Sequence, residues 1–202
     1  GDGNDTIRLN NGANTVLAGL GADTITATSG TNTIDAGDGA DTISLNGGSN
    51  TVSAGSGNDT ITASGGTNTI ATDEGDNTVV LNAGNNTVTA VAGADTITAN
   101  SGTNTINVGE GDNTITLNNG TNSVVAGSGA DTITAVSGSN TIQSGDGIDV
   151  ITLNGGNNTV YGASGGDSIT ANNGTNVIDA GTENDSVTAN NGTNTITAGE
   201  GN

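Results

Sequence analysis

The sequence repeats every nine residues over its whole length. Twenty-two nine-residue blocks run from position 1 to position 198, and four further residues follow. The seventh place of every block is Ile or Val, from Ile7 to Ile196. A short fixed period is typical of a solenoid, in which each repeat buries its apolar residues only against its neighbours. We therefore expect residues 1–202 to form a single repeat array. We also expect it to be a piece of a longer chain, because open solenoid ends need caps.

Each block divides into a turn and a short strand. The first five places are mostly Gly, Asn, Asp, Ser or Ala, as in Gly-Leu-Gly-Ala-Asp at 19–23. Gly adopts positive φ freely, and Asn and Asp tolerate it. The last four places, as in Thr-Ile-Thr-Ala at 24–27, are rich in residues that favour strands. Because side chains alternate along a strand, we expect places 7 and 9 to point inward and places 6 and 8 outward.

The acidic residues indicate how many blocks make one coil. Of the 21 acids, 19 lie in the turns of odd-numbered blocks or in the partial block that continues this series, and the exceptions are Asp35 and Asp179. The fifth place of every even turn is Asn, which predicts a ladder of bonded amides. This parity requires an even number of blocks per coil, most simply two. The sequence thus predicts an all-β fold, a parallel β-roll (β-solenoid) with two strands and 18 residues per coil. About 11 such coils would extend roughly 50 Å.

The ninth place of the odd blocks predicts the packing of a thin core. Large and small residues alternate there along the axis, as they must in order to interdigitate. The series is Leu9, Ala27, Leu45, Ala63, Leu81, Ala99, Leu117, Ala135, Leu153 and Ala171.

Composition excludes several classes of function. The chain has no His, Cys or Lys and only one Arg, so it offers no Ser–His or Cys–His pair, and we expect no enzymatic activity. Its net charge of −20 argues against nucleic acid as a partner. No apolar run is long enough for membrane insertion. The high content of Gly, Ser and Asn makes a disordered chain the alternative. A strictly periodic β-branched residue argues against disorder.

The odd turns bring carboxylates together on one edge of the predicted roll. Examples are Gly-Asp-Gly-Ala-Asp at 37–41 and Gly-Ser-Gly-Asn-Asp at 55–59, stacked at about 4.8 Å from coil to coil. Carboxylate and carbonyl oxygens suit Ca²⁺, whereas a chain without His and Cys does not suit zinc, copper or iron. The alternative interpretation is a solvated acidic ridge that only increases solubility.

The motif Gly-x-Gly-x-Asp-x-Ile, repeated in register, resembles the calcium-binding nonapeptide of RTX (repeats-in-toxin) proteins. The resemblance implies Ca²⁺ held by the fifth-place Asp together with turn carbonyls of adjacent coils. Asn77 and Asn113 depart from it at the Asp place. Glu183 replaces the second turn Gly, so the motif does not fix the backbone conformation of that turn. Asn in the even turns restricts calcium to one edge. The implied ligands are Asp5, Asp23, Asp41, Asp59, Asp95, Asp131, Asp149, Asp167 and Asp185, with Asp2, Asp38, Asp76, Asp112 and Asp146 as secondary candidates.

The outward places of the odd strands form a Thr-x-Thr array. Such a flat grid of hydroxyls and methyls is similar to the ice-binding faces of β-solenoid antifreeze proteins, which implies ice or another partner at this face. Strand propensity alone also favours exposed Thr. The candidate residues are Thr24, Thr26, Thr60, Thr62, Thr96, Thr98, Thr114, Thr116, Thr132 and Thr134.

Together these patterns favour a calcium-stabilised structural segment of a large secreted or cell-surface bacterial protein, such as a rigid spacer, fibre or coat element. Two alternatives remain open: an ice-binding module, and the secretion and folding tail of an exported enzyme. Unpaired strands at the ends or edges of the sheets could allow self-association, including head-to-tail stacking.

Overall fold

The computed structural model describes residues 1–201 as two parallel sheets of eleven strands each. Odd-numbered strands form the first sheet and even-numbered strands the second, so the chain crosses between the sheets after every strand. The first sheet contains β1 (Thr6–Leu9), β3 (Thr24–Ala27), β5 (Thr42–Leu45), β7 (Thr60–Ala63), β9 (Thr78–Leu81), β11 (Thr96–Ala99), β13 (Thr114–Leu117), β15 (Thr132–Ala135), β17 (Val150–Leu153), β19 (Ser168–Ala171) and β21 (Ser186–Ala189). The second contains β2 (Ala13–Leu20), β4 (Thr31–Asp38), β6 (Ser49–Ser56), β8 (Thr67–Glu74), β10 (Asn85–Ala92), β12 (Thr103–Asn107), β14 (Thr121–Val125), β16 (Ser139–Asp146), β18 (Asn157–Ser164), β20 (Thr175–Asp179) and β22 (Thr193–Thr197).

Strand pairing follows an 18-residue register. Ile97 of β11 pairs with Ile115 of β13, and Ile115 pairs with Ile133 of β15. Along the first sheet, each strand residue therefore lies beside its equivalent in the next coil. This confirms the predicted β-roll with two strands per coil and eleven coils. Among residues 1–201, no helix has the length and apolar character needed to cross a bilayer.

A narrow aliphatic core fills the space between the two sheets. The seventh-place Ile and Val residues are buried except in the terminal coils, where a neighbour is missing on one side. Leu81 pairs with Ala63 on one side and with Ala99 on the other, so the predicted alternation of large and small residues is present. The buried cluster runs from Leu9 to Ala180.

The even strands are longer than the four residues that the sequence predicts. They begin at the fourth place of the block, where the N–H of Thr103 donates to the carbonyl of Gly84 at 2.9 Å. The strand starts early because the fifth-place Asn points inward and continues the alternation of buried and exposed residues. Seven of these strands also continue two residues into the following odd turn. The prediction of a five-residue turn is therefore wrong for the even blocks.

The odd turns stack so closely that their backbone conformation is restricted. Gly39 has φ 141°, and a Cβ at this position would lie 1.9 Å from the carbonyl oxygen of Gly21 in the preceding coil. Glu183, which replaces a turn Gly, takes the same left-handed half of φ space at 84°. Val91 stands where most odd turns have their first Gly, and the register between β8 and β10 shifts beside it. A β-branched residue resists positive φ, which explains the irregularity.

Candidate metal site

The two edges of the roll present different side chains at the fifth place of each turn. We call the edge formed by the odd turns the acidic edge, because nine of its eleven fifth-place residues are Asp. We call the edge formed by the even turns the amide edge, because all of its fifth-place residues are Asn. Stacking in register places each of these side chains next to its equivalent in the neighbouring coils.

Backbone hydrogen bonds fix the carboxylates of the acidic edge. The N–H of Asp41 donates to Oδ1 of Asp59 at 2.8 Å, and the N–H of Asp23 donates to Oδ1 of Asp41 at 2.7 Å. An equivalent bond joins every pair of neighbouring coils from Asp5 to Asp185. Asp59 is only 1% exposed. The carboxylates therefore form a buried row and not a solvated ridge.

The second oxygen of these carboxylates has no hydrogen-bond partner. A buried acceptor without a partner is costly, and a buried charge is more so. Burial raises the pKa of Asp59, Asp131 and Asp167 to about 6, with repulsion from neighbouring acids adding to the effect. The unpartnered Oδ2 atoms belong to Asp23, Asp41, Asp59, Asp95, Asp131, Asp149, Asp167 and Asp185.

Most of the ligand candidates named from the sequence lie in this row. Asp185 is half-buried, and Asp5 is exposed in the first coil. The secondary candidates Asp2, Asp38, Asp76, Asp112 and Asp146 are all exposed and lie outside the row. Asp38 accepts a hydrogen bond from the hydroxyl of Ser56 at 2.7 Å, so its carboxylate is partnered at the surface. The structure thus separates two groups of acids that the sequence places in the same turns.

Two turns of the acidic edge satisfy their own polar atoms. The side-chain amide of Asn77 donates to the carbonyl of Gly75 at 2.8 Å, and that of Asn113 donates to the carbonyl of Gly111 at the same distance. Oδ1 of Asn77 still accepts the N–H of Asp59 at 2.9 Å. Sequence reasoning identified these turns as departures from the motif but missed the amide-to-carbonyl bond.

The amide edge needs no ion because each Asn both donates and accepts. Nδ2 of Asn104 donates to Oδ1 of Asn122 at 2.8 Å and to the carbonyl of Ser101 at 3.2 Å. The ladder runs without interruption from Asn14 to Asn194. The predicted bonding of stacked amides is present in the structure.

The acidic edge provides the donor atoms that Ca²⁺ requires. Within residues 1–201, no three acidic side chains converge on one point. Carboxylates alone therefore do not form a complete shell. Backbone carbonyls of the Gly-rich turns would be the remaining protein ligands for such an ion. Ca²⁺ accepts six to eight such oxygens in flexible geometry. The buried unpartnered Oδ2 atoms fit a hard divalent cation of this kind.

The Thr candidates lie on the outer face of the first sheet. The sixth-place residues, such as Thr96, are exposed, and the eighth-place residues, such as Thr98, are half-buried. A second Thr-rich surface lies on the other sheet at the fourth and sixth places. There Thr103 and Thr105 border a shallow groove along the roll axis.

Comparison with known proteins agrees with this geometry. The sequence model of the RTX calcium-binding nonapeptide repeat matches residues 1–25, 17–52, 26–61, 44–79, 62–97, 80–115, 98–133, 134–169 and 170–202. Searches of the curated proteins and of the solved structures gave no significant match. The family matches cover the whole chain and follow the repeats that build the acidic edge. The chain therefore belongs to the RTX calcium-binding nonapeptide repeat family.

Proposed function

We propose that this chain is a calcium-stabilised, non-enzymatic structural segment of a large secreted or cell-surface bacterial protein. It would serve as a rigid spacer, fibre or coat element. The observation that carries the proposal is the row of eight buried Oδ2 atoms without partners along the acidic edge. An ion-free roll would hold this row at a large electrostatic cost, whereas bound Ca²⁺ neutralises it.

Calcium binding would be coupled to folding. The site combines carboxylates and carbonyls that meet only when coils stack, so the unfolded chain has no equivalent site. Binding free energy then becomes folding free energy, and the stability of the roll depends on the calcium concentration. The segment would be weakly folded where calcium is scarce and rigid in calcium-rich extracellular surroundings.

Matched variants test the role of the buried row. Asp59→Asn removes a buried carboxylate, and Asp38→Asn removes the same charge from an exposed position in the neighbouring odd turn. We expect calcium to raise the melting temperature of the parent chain strongly in far-UV circular dichroism. Asp59→Asn should bind less calcium by isothermal titration calorimetry, whereas Asp38→Asn should bind as the parent does.

Two outcomes would contradict this proposal. One is a melting temperature that excess calcium leaves unchanged relative to ion-free buffer. The other is an equal loss of binding in Asp38→Asn and Asp59→Asn, which would indicate diffuse attraction to a solvated acidic surface. For the mechanical role, small-angle scattering of the calcium-loaded chain should fit a rod about 50 Å long.

Ice binding is a second candidate function, favoured by the regularity of the first sheet. Thr96 and Thr98 pair with Thr114 and Thr116 without a register shift. The next coil continues the grid with Thr132 and Thr134. The resulting grid has spacings of about 4.8 Å between coils and 6.7 Å along strands. Hydroxyls and methyls at fixed spacing would suit an ordered water lattice.

Thermal hysteresis of the calcium-loaded protein tests this candidate. Thr116→Tyr places a bulky ring on the first sheet, and Thr105→Tyr places the same ring on the second. Loss of activity in Thr116→Tyr alone would assign the first sheet as the binding face. Smooth, unarrested ice growth around folded parent protein would rule ice binding out.

A further inference from the structure

The row of carboxylates on the acidic edge is broken at two coils. Asn77 and Asn113 occupy the fifth place there and are buried like the Asp residues around them. They also keep the coil-to-coil bond, since Oδ1 of Asn113 accepts the N–H of Asp95 at 3.0 Å. Asp and Asn therefore accept the same backbone hydrogen bond at this place. They differ only in the second terminal atom of the side chain, which is Oδ2 in Asp and Nδ2 in Asn.

In the coils where this second atom is buried, it has a hydrogen-bond partner only in the two Asn turns. Nδ2 of Asn77 donates to the carbonyl of Gly75, and Nδ2 of Asn113 donates to the carbonyl of Gly111. In the Asp turns, an oxygen takes the place of the amide nitrogen. A carboxylate oxygen cannot donate a hydrogen bond to a carbonyl. The carboxylate oxygen and the carbonyl oxygen are therefore two acceptors with no donor between them. A cation between them would satisfy both, and the amide hydrogen of Asn does so without one.

In these two turns, the acidic residue stands one position earlier in the sequence, at the exposed fourth place. The fourth place is Asp76 in one turn and Asp112 in the other, where other odd turns have residues such as Ala40 or Asn58. Both carboxylates are exposed. Asp76 accepts the N–H of Ala94 at 2.8 Å, so its charge is partnered and solvated. The Asp-Asn order thus keeps the turn acidic while removing the buried charge.

We propose that Asn77 and Asn113 replace the cation with an amide hydrogen bond and make their turns independent of calcium. This inference rests on the proposed function of the acidic edge. The two Asn turns divide the edge into a group from Asp5 to Asp59, the single Asp95, and a group from Asp131 to Asp185. Calcium then loads separate groups of coils, joined by turns that stay satisfied in ion-free conditions.

Exchanging Asp and Asn tests the inference. Asn77→Asp should increase the calcium bound per chain and lower the melting temperature in ion-free buffer. Asp95→Asn should do the reverse, with less calcium bound and a higher ion-free melting temperature. Asn58→Asp is the matched control, since it adds one exposed charge at the place that Asp76 fills in the next coil. The control should leave the stoichiometry of the parent unchanged.

The readouts separate this inference from the proposed function. Calorimetry on the parent chain reports calcium binding, and its absence would overturn the proposed function. Ion-free melting temperatures report the amide-to-carbonyl bond without any metal. Suppose that the parent binds calcium, but that Asn77→Asp and Asp95→Asn match it in both calcium stoichiometry and ion-free melting temperature. This result would overturn the inference about the two Asn turns and leave the proposed function standing.

Discussion

The ion-free roll should lose stability as the pH rises from about 4 to about 6.5. Burial raises the pKa of Asp59, Asp131 and Asp167 from the ordinary value of 3.8 to about 6. The folded state therefore holds these protons in a pH range where the unfolded state has lost them. The stabilisation is fully present below the unfolded value of 3.8 and is lost as the pH passes the folded value.

The loss of folding stability can be calculated from the change in pKa. A change from 3.8 to about 6 corresponds to about 3 kcal/mol per carboxyl. Solvent and salt screen part of it at the edge of the roll, so we take about half of this figure for each group. The three carboxyls together then account for about 4 to 5 kcal/mol. That is a large part of the stability of a typical domain, which is about 5 to 15 kcal/mol.

Far-UV circular dichroism melts in buffers stripped of divalent ions measure this dependence. The melting temperature should fall steadily across the range, and added calcium should restore it most strongly above pH 6, where protons no longer compete for the carboxylates. Asp131→Asn should flatten the slope. A pH dependence that disappears in 1 M salt, where exposed charges are screened, would show repulsion on a solvated surface and refute the argument from burial.

Four further substitutions, one of them a control, test the fold itself by thermal melting in saturating calcium, and the last of them also at lower calcium concentrations. Gly39→Ala places a Cβ against the carbonyl of Gly21 and should cost about 3 kcal/mol or more. Gly47→Ala is its control, because the nearest atom would lie at 3.5 Å, and it should be close to neutral. Leu81→Ala should cost about 4 kcal/mol, since Ala neighbours on both sides cannot fill the cavity. Asn104→Leu interrupts the amide ladder and should cost about 2 to 4 kcal/mol at every calcium concentration, because it leaves a buried donor and a buried acceptor unpaired.

The sequence predicts the repeat, the coil and the core correctly because each depends on residue spacing alone. The position of Leu81 between two Ala residues, for example, follows directly from the nine-residue blocks. The burial of Asp59 and the exposure of Asp38 could not be predicted in the same way. Both lie in Gly-rich turns, and which carboxylate faces inward depends on backbone dihedral angles that the repeat does not reveal. The length of the even strands was missed for a related reason, since inward-pointing Asn104 looked like a turn residue.

The stacking of one coil on the next also makes the molecule a polyelectrolyte. A net charge of −20 over a roll about 50 Å long corresponds to one charge per roughly 2.5 Å, which approaches the one per about 1.7 Å of double-helical DNA. Counterions accumulate around such a line of charge, and each bound Ca²⁺ displaces some of them. The apparent affinity for calcium should therefore decrease steeply with monovalent salt, so that salinity and calcium together set how much of the roll is loaded.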